Sequence, residues 1–126
     1  MYLLSLDLLS TIVYNINIKE IVFYQHTNNK VPVVDWLKGL DKPFRIKIQD
    51  RLNRIEQNDN FGDFKKIDND ICELRFNFGS GYKIYYAEVD NIVVLLLNAG
   101  DKKFQSNDIS KAKEYLKIWR QNNEKL

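Results

Sequence analysis

Residues 71–105 read ICELRFNFGSGYKIYYAEVDNIVVLLLNAGDKKFQ, and this stretch decides the fold. Ile71 to Phe78 alternates, with Cys72, Leu74, Phe76 and Phe78 on one side and Glu73, Arg75 and Asn77 on the other. A period of two places successive side chains on opposite faces of a strand. Gly79-Ser80-Gly81 is a turn, and Tyr82 to Val89 alternates again. Asp90-Asn91 is a two-residue hairpin signal. Ile92 to Leu97 is an unbroken apolar run, as expected of a central strand buried on both faces. The stretch predicts a three-stranded antiparallel sheet. If the hairpin is tight, Val89 pairs with Ile92 and Lys83 falls opposite Asn98. Lys83 and Tyr85 then share one face, and Ile84 and Tyr86 the other.

On the N-terminal side, Ile18 to Gln25 (IKEIVFYQ) is β-branched and aromatic and predicts a strand. Pro32 is followed by Val33, Val34, Trp36, Leu37 and Leu40, which make a short amphipathic helix ending near Gly39. Asp41-Lys42-Pro43 starts a second helix, with Asp41 as its cap and proline in its first turn. Phe44, Ile48, Leu52 and Ile55 fall on one face of that helix, and Lys47, Arg51 and Arg54 form a basic stripe. Asn58 to Lys65 is rich in turn formers and reads as a loop. On the C-terminal side, Asn107 or Asp108 is expected to cap a last helix with Ile109, Ala112, Leu116 and Trp119 as its packing stripe. The order is strand, two-helix hairpin, three antiparallel strands, helix, which is an α+β domain with helices on one face of a sheet. The other face, lined by Arg75, Lys83, Tyr85, Asn98 and Lys102, is expected to stay partly open.

Size and composition bound the rest. A chain of 126 residues fits one domain, and folding at this size buries roughly two-thirds of the unfolded surface. Residues 1–17 are expected to be an N-terminal extension and residues 18–126 a single domain. The extension is apolar but interrupted by Asp7, Asn15 and Asn17, with no basic residue ahead of it. That pattern argues against a signal peptide or a membrane span. The single cysteine, Cys72, can form no internal disulfide, in keeping with a reducing cytoplasm. The net charge is +2, so anion binding must come from local clusters of Lys and Arg. Acidic residues show no metal-ligand spacing. His26, the single histidine, ends the first strand away from the basic residues, and Cys72 points to the core side.

From Ile18 to Asn122 the chain resembles the HigB-like branch of the RelE/ParE toxin superfamily. The resemblance rests on Trp36-Leu37, Leu40-Asp41, Arg51-Leu52 with Arg54, Gly62-Asp63-Phe64-Lys65 and Glu73-Leu74-Arg75. It continues through Gly79-Ser80-Gly81-Tyr82-Lys83-Ile84-Tyr85-Tyr86, Leu96-Leu97, Gly100-Asp101-Lys102 with Gln105, and Asp108-Ile109 with Ala112. It implies a RelE/ParE-like fold and the toxin of a type II toxin–antitoxin system. It also implies a cytoplasmic endoribonuclease that cuts translated messages without metal or cofactor. The implied partners are messenger RNA, the ribosome and a cognate antitoxin, usually a helix-turn-helix protein. Arg75, Lys83 and Lys102 occupy the three positions where RelE-like enzymes carry their working cations. Two positions depart: lysine replaces arginine at Lys83, and Asp108 stands where such enzymes carry a tyrosine near the last helix.

Metal-free RNA cleavage uses the 2′-hydroxyl as nucleophile. Fixed cations then stabilise the charge that develops on the phosphorane. Arg75 and Lys83 are the expected grip on the scissile phosphate, with Lys102 as helper or acid. Tyr85 is a candidate for stacking on a base. Glu73 is the single carboxylate that alternation puts on this face, either a base or a counter-ion to Lys83. Lys47, Arg51, Arg54 and Lys65 are candidates for further RNA contact. Val94 and Leu96 are expected to flank the open face and to be covered by the antitoxin. The alternatives are a ParE-like inhibitor of DNA gyrase and a non-catalytic module that binds its antitoxin.

Overall fold

Proline in a first turn and glycine past the last turn bracket the first helix, because proline lacks an N–H that a first turn does not need. In the computed structural model, which describes residues 18–123, that helix is α1 (Pro32–Lys38), and Gly39 follows it. Residues 39–41 lead into α2 (Lys42–Asn58), which begins after Asp41 as expected, although the Asp41 carboxylate makes no capping hydrogen bond. Ile48, Leu52 and Ile55 are its buried stripe. The expected extension, residues 1–17, lies outside the described residues.

The strands are β1 (Glu20–Phe23), β2 (Phe64–Lys66), β3 (Cys72–Phe76), β4 (Tyr82–Val89) and β5 (Val93–Gly100). A 3-10 turn (Lys102–Phe104) then leads into α3 (Gln105–Asn123). All five strands form one sheet in the order β1-β5-β4-β3-β2. β1 runs parallel to β5, and the other pairs are antiparallel. The sheet is therefore wider than the three strands expected. The first strand joins its edge, and Phe64 to Lys66, whose first two residues read as loop, pairs with β3. β2 is short and fully exposed, so no apolar alternation marked it.

The hairpin register differs from the expected one by two single steps. Asp90 and Asn91 both adopt positive φ, and the Ile92 N–H donates to the Val89 carbonyl, so the turn is tight. The ladder nevertheless starts with Val89 opposite Val93. A β-bulge between Tyr85 and Tyr86 adds the second step, so Lys83 lies opposite Gly100 and not Asn98. Two steps make one full period of a strand, so the face assignment of Lys83 and Tyr85 is unaffected.

The largest correction concerns the faces, for helices cover both. On one, Val33, Ile48, Leu52 and Ile55 of the two-helix hairpin pack on Leu74, Phe76, Ile84, Tyr86, Val94, Leu96 and Ala99. On the other, Ala112 and Leu116 of α3 pack on Tyr24, Ile71, Tyr85, Ala87, Leu95 and Leu97. Val94 and Leu96 are fully buried here and leave nothing for a partner to cover. An apolar run in β5 has the composition that two covered faces require. The last helix starts at Gln105, earlier than Asn107 or Asp108, because the preceding 3-10 turn feeds straight into it. Asp101 caps that turn by accepting the Lys103 N–H at 2.9 Å.

Candidate functional site

Cross-strand register assembles the site on the α3 side of the sheet. Lys65, Glu73, Tyr85 and Asn98 form one row across four strands. Arg75, Lys83 and Gly100 form the next. Residues directly opposite on one face stand close enough to interact, so Arg75 and Lys83 are two like charges side by side. Asp63, just before β2, is tied into this row by the Arg75 N–H, which donates to its carbonyl at 2.9 Å.

Glu73 lies beneath the two cations and is 2% exposed. Its Oε1 is 3.7 Å from Arg75 Nε, and its Oε2 is 3.6 Å from Lys83 Nζ. Arg75 Nε is also 3.7 Å from Asp63 Oδ1. Lys83 Nζ donates to Gln105 Oε1 at 2.9 Å, which links the site to the first residue of α3. Both Arg75 and Asp63 are well exposed, so the surface end of the cluster is open to solvent.

Deeper in, the polar character continues under α3. Tyr85 is fully buried, and its hydroxyl has no hydrogen-bond partner. Burial pushes its pKa well above the ordinary tyrosine value, and the negative charges of Glu73 and Asp108 push in the same direction. Asn98 Nδ2 donates to the Asp108 carbonyl at 3.1 Å. Burial also raises the Asp108 carboxyl, with Lys111 opposing the shift and Asp101 adding to it. Asp108 lies so close to Gly100 that a Cβ there would collide with its carboxylate. Glycine at the end of β5 is what allows the start of α3 to seat on the sheet.

The expected residues therefore separate into groups. Arg75 and Lys83 come together, with Lys65 exposed at the end of the neighbouring row. Lys102 stands in the 3-10 turn with its side chain against Gly81, and with Asn77, Gly79 and Ser80 it lines a shallow cleft. Tyr85 has no exposed ring face, which corrects its expected role in stacking on a base. The basic stripe of α2 packs on the opposite face of the sheet from Glu73. Arg51 NH1 donates to the carbonyls of Phe61 and Asp63 at 3.2 and 3.3 Å, and its NH2 to that of Arg75 at 3.1 Å. Its guanidinium also sits 4.6 Å from the centre of the Phe76 ring. Arg51 thus knits α2 to the loop and strand that carry Asp63 and Arg75. Lys47 lies over the Phe78 ring, and Arg54 lines a shallow groove with Asp50, Asn53 and Gln57.

Two members of the cluster were absent from the sequence reading of the site. Asp63 was part of a presumed loop, and only the unrecognised β2 pairing could have placed it beside Arg75. Gln105 carried part of the family resemblance without a role. His26 is half-buried, bonded through Nδ1 to the Tyr24 hydroxyl at 2.8 Å and tilted against Tyr115. Cys72 is a free, partly buried thiol packed against the two-helix side. No described helix is long and apolar enough to cross a membrane.

Residues 35–117 match the family described as "Phage derived protein Gp49-like (DUF891)". An uncharacterised protein of Haemophilus influenzae (strain Rd) is 42% identical over 79 residues. That similarity covers 62% of this chain and 79% of the Haemophilus protein.

Proposed function

The chain belongs to the Gp49-like phage-derived family, which is associated with toxin–antitoxin modules and related to RelE- and HigB-type toxins, and from this we propose that it is the toxin of a type II pair that cleaves messenger RNA. The observation that carries the reading is the Arg75–Lys83 pair, two cations placed directly opposite each other, Arg75 partly exposed and Lys83 largely buried beside it. Like charges are not placed side by side without cost. An incoming phosphate would offset that repulsion and take both cations as partners.

In the proposed reaction the 2′-hydroxyl oxygen attacks the adjacent phosphorus, and the bond to the 5′-oxygen of the next nucleotide breaks. Arg75 and Lys83 hold the non-bridging oxygens and stabilise the extra charge of the phosphorane. Asp63, an exposed carboxylate 3.7 Å from Arg75, takes the 2′-hydroxyl proton. Lys102, in the neighbouring cleft with Asn77, Gly79 and Ser80, is the proposed acid for the leaving 5′-oxygen. The products are a 2′,3′-cyclic phosphate and a 5′-hydroxyl. The partners in this reading are translated messages on the ribosome and a cognate antitoxin, with the cytoplasm as the compartment.

One observation favours a second reading. Glu73 and Asp63 offset Arg75 and Lys83 charge for charge, so the cluster is nearly neutral. A gyrase inhibitor or a purely antitoxin-binding module needs no excess of cations. Induction in a bacterium that lacks the antitoxin, with transcript 5′ ends mapped, separates the two. The expected result is growth arrest with new cuts inside translated messages, lost in Arg75→Ala/Lys83→Ala. Arrest with intact transcripts and damaged DNA would point to a gyrase-type target, and no arrest to a binding module.

A further inference from the structure

Among the described residues, four buried side-chain polar atoms have no hydrogen-bond partner, and three of them meet in one place. They are Glu73 Oε2, Arg75 Nε and Tyr85 OH. The fourth, Asp59 Oδ1, lies elsewhere, 3.8 Å from Lys19. Buried polar atoms are nearly always satisfied, so three orphans in adjacent strand positions need a reason.

Register gives one. Arg75 and Lys83 are direct cross-strand partners, an arrangement that on its own drives the two side chains apart. Glu73 is two residues along β3 from Arg75, on the same face, and each of its oxygens faces a different cation. Both distances, 3.7 and 3.6 Å, are too long for hydrogen bonds but short enough for strong attraction in a poorly solvated pocket. The carboxylate thus restrains both cations without using up their donors. It is too deeply buried to meet substrate itself.

We infer that Glu73 is a positioning residue, whose charge holds Arg75 and Lys83 together as a preformed two-point phosphate grip. This rests on the proposed RNA-cleaving role of the site. It has an unusual consequence, since the same negative charge that aligns the grip also repels the phosphate it serves. Removing the charge should strengthen binding and weaken catalysis together, whereas loss of a merely structural residue weakens both.

The test compares Glu73→Gln with the wild-type protein, both checked for cooperative melting. Binding is read with a short oligoribonucleotide carrying 2′-deoxy sugars, which cannot be cut. Cleavage is read in single-turnover experiments on ribosomes programmed with a message. The expected result is binding about two- to fivefold tighter, the size of one partly screened charge pair. Cleavage should be about 100-fold slower, as for a reacting group misplaced by roughly 1 Å. Parallel losses of both, or unchanged cleavage, would overturn the inference. If Glu73→Gln fails to fold, Glu73→Asp, which keeps the charge but shortens the reach, should cut more slowly with unchanged affinity. Full activity in Glu73→Asp would then overturn it. Wild-type cutting that does not depend on Arg75 and Lys83 would sink the functional reading itself, and this inference with it. Cutting that depends on both cations but is indifferent to Glu73 would sink the inference alone.

Discussion

The two faces of the sheet treat their charged residues in opposite ways. On the side of α1 and α2, Arg51 gives its donors to three backbone carbonyls and lies on the Phe76 ring, and Lys47 lies on Phe78. The surrounding core is apolar and fully packed. On the side of α3 the apolar core gives way at one end to Glu73, Arg75, Lys83, Tyr85, Asn98 and Asp108, and three buried polar atoms there go unpartnered. Arg51 on the first face is tied to backbone carbonyls, whereas Arg75 on the second faces only the carboxylates of Glu73 and Asp63. Sequence reading cannot make that distinction, because Arg51 and Arg75 are the same residue type in equally basic surroundings.

The difference should be greatest in activity. Arg75→Ala/Lys83→Ala should lower RNA cleavage by about 10³-fold or more, since one lost electrostatic stabiliser commonly costs about 10²-fold. Its melting temperature should fall as well, because the buried Glu73 carboxylate loses both counter-charges, so cleavage is read per folded molecule. Single-turnover cleavage alongside thermal melting checks both halves. Leu52→Ala should lower stability alone. Leu52 is 2% exposed in the core beneath α2, so its truncation should cost about 3 kcal/mol of stability by denaturant unfolding. Cleavage per folded molecule should not change. Arg51→Met is the more telling arginine. It should destabilise by about 2 kcal/mol, through the loss of its hydrogen bonds to the Phe61, Asp63 and Arg75 carbonyls and of the ring contact. The salt dependence of RNA binding should not move, since the guanidinium makes no phosphate contact in this account.

Smaller effects test the polar end of the α3 face. Tyr85→Phe removes a buried hydroxyl that has no partner, so stability should be unchanged or higher by up to about 1 kcal/mol. A loss of that size would mean the hydroxyl is satisfied in solution. A last, pH-dependent effect belongs to Asp68, in the loop between β2 and β3. The N–H groups of Asp70 and Ile71 donate to its carboxylate at 2.8 Å each and hold its pKa below the usual range, with Lys113 assisting. An acid whose folded pKa is lowered adds stability above its unfolded pKa and loses it as the pH falls through the folded value. Melting temperature against pH should therefore fall less steeply in acid for Asp68→Asn than for wild type, and the two curves should converge at low pH.

How much could be read beforehand follows from the same asymmetry. Long amphipathic elements were legible: α2 begins after Asp41, and its stripe of Ile48, Leu52 and Ile55 is buried as expected. The shared face of Arg75, Lys83 and Tyr85 was legible because alternation is local. The partner of Lys83 was not, because a bulge and a one-residue shift at the turn leave no mark in composition. Those two steps cancel in facing but not in pairing, so the site residues survived an incorrect register. Strand β2 was missed because FKK at an exposed edge carries no apolar pattern. Asp63 was lost with it. Burial of the last strand on both faces was legible in its apolar run, but the covering of Tyr85 was not, because the mixed composition of α3 suits a rim helix and a covering helix alike. Tyr85 was misjudged for that reason.

The central claim is that Arg75 and Lys83 serve an attack by the RNA's own 2′-hydroxyl, and the ends of the cut message report on it most directly. Fragments from cells expressing the wild-type chain should carry 2′,3′-cyclic phosphate or 3′-phosphate on the upstream piece and a 5′-hydroxyl on the downstream piece. These ends should be absent from cells expressing Arg75→Ala/Lys83→Ala. A 3′-hydroxyl paired with a 5′-phosphate, or cuts that persist in the double variant, would contradict the account.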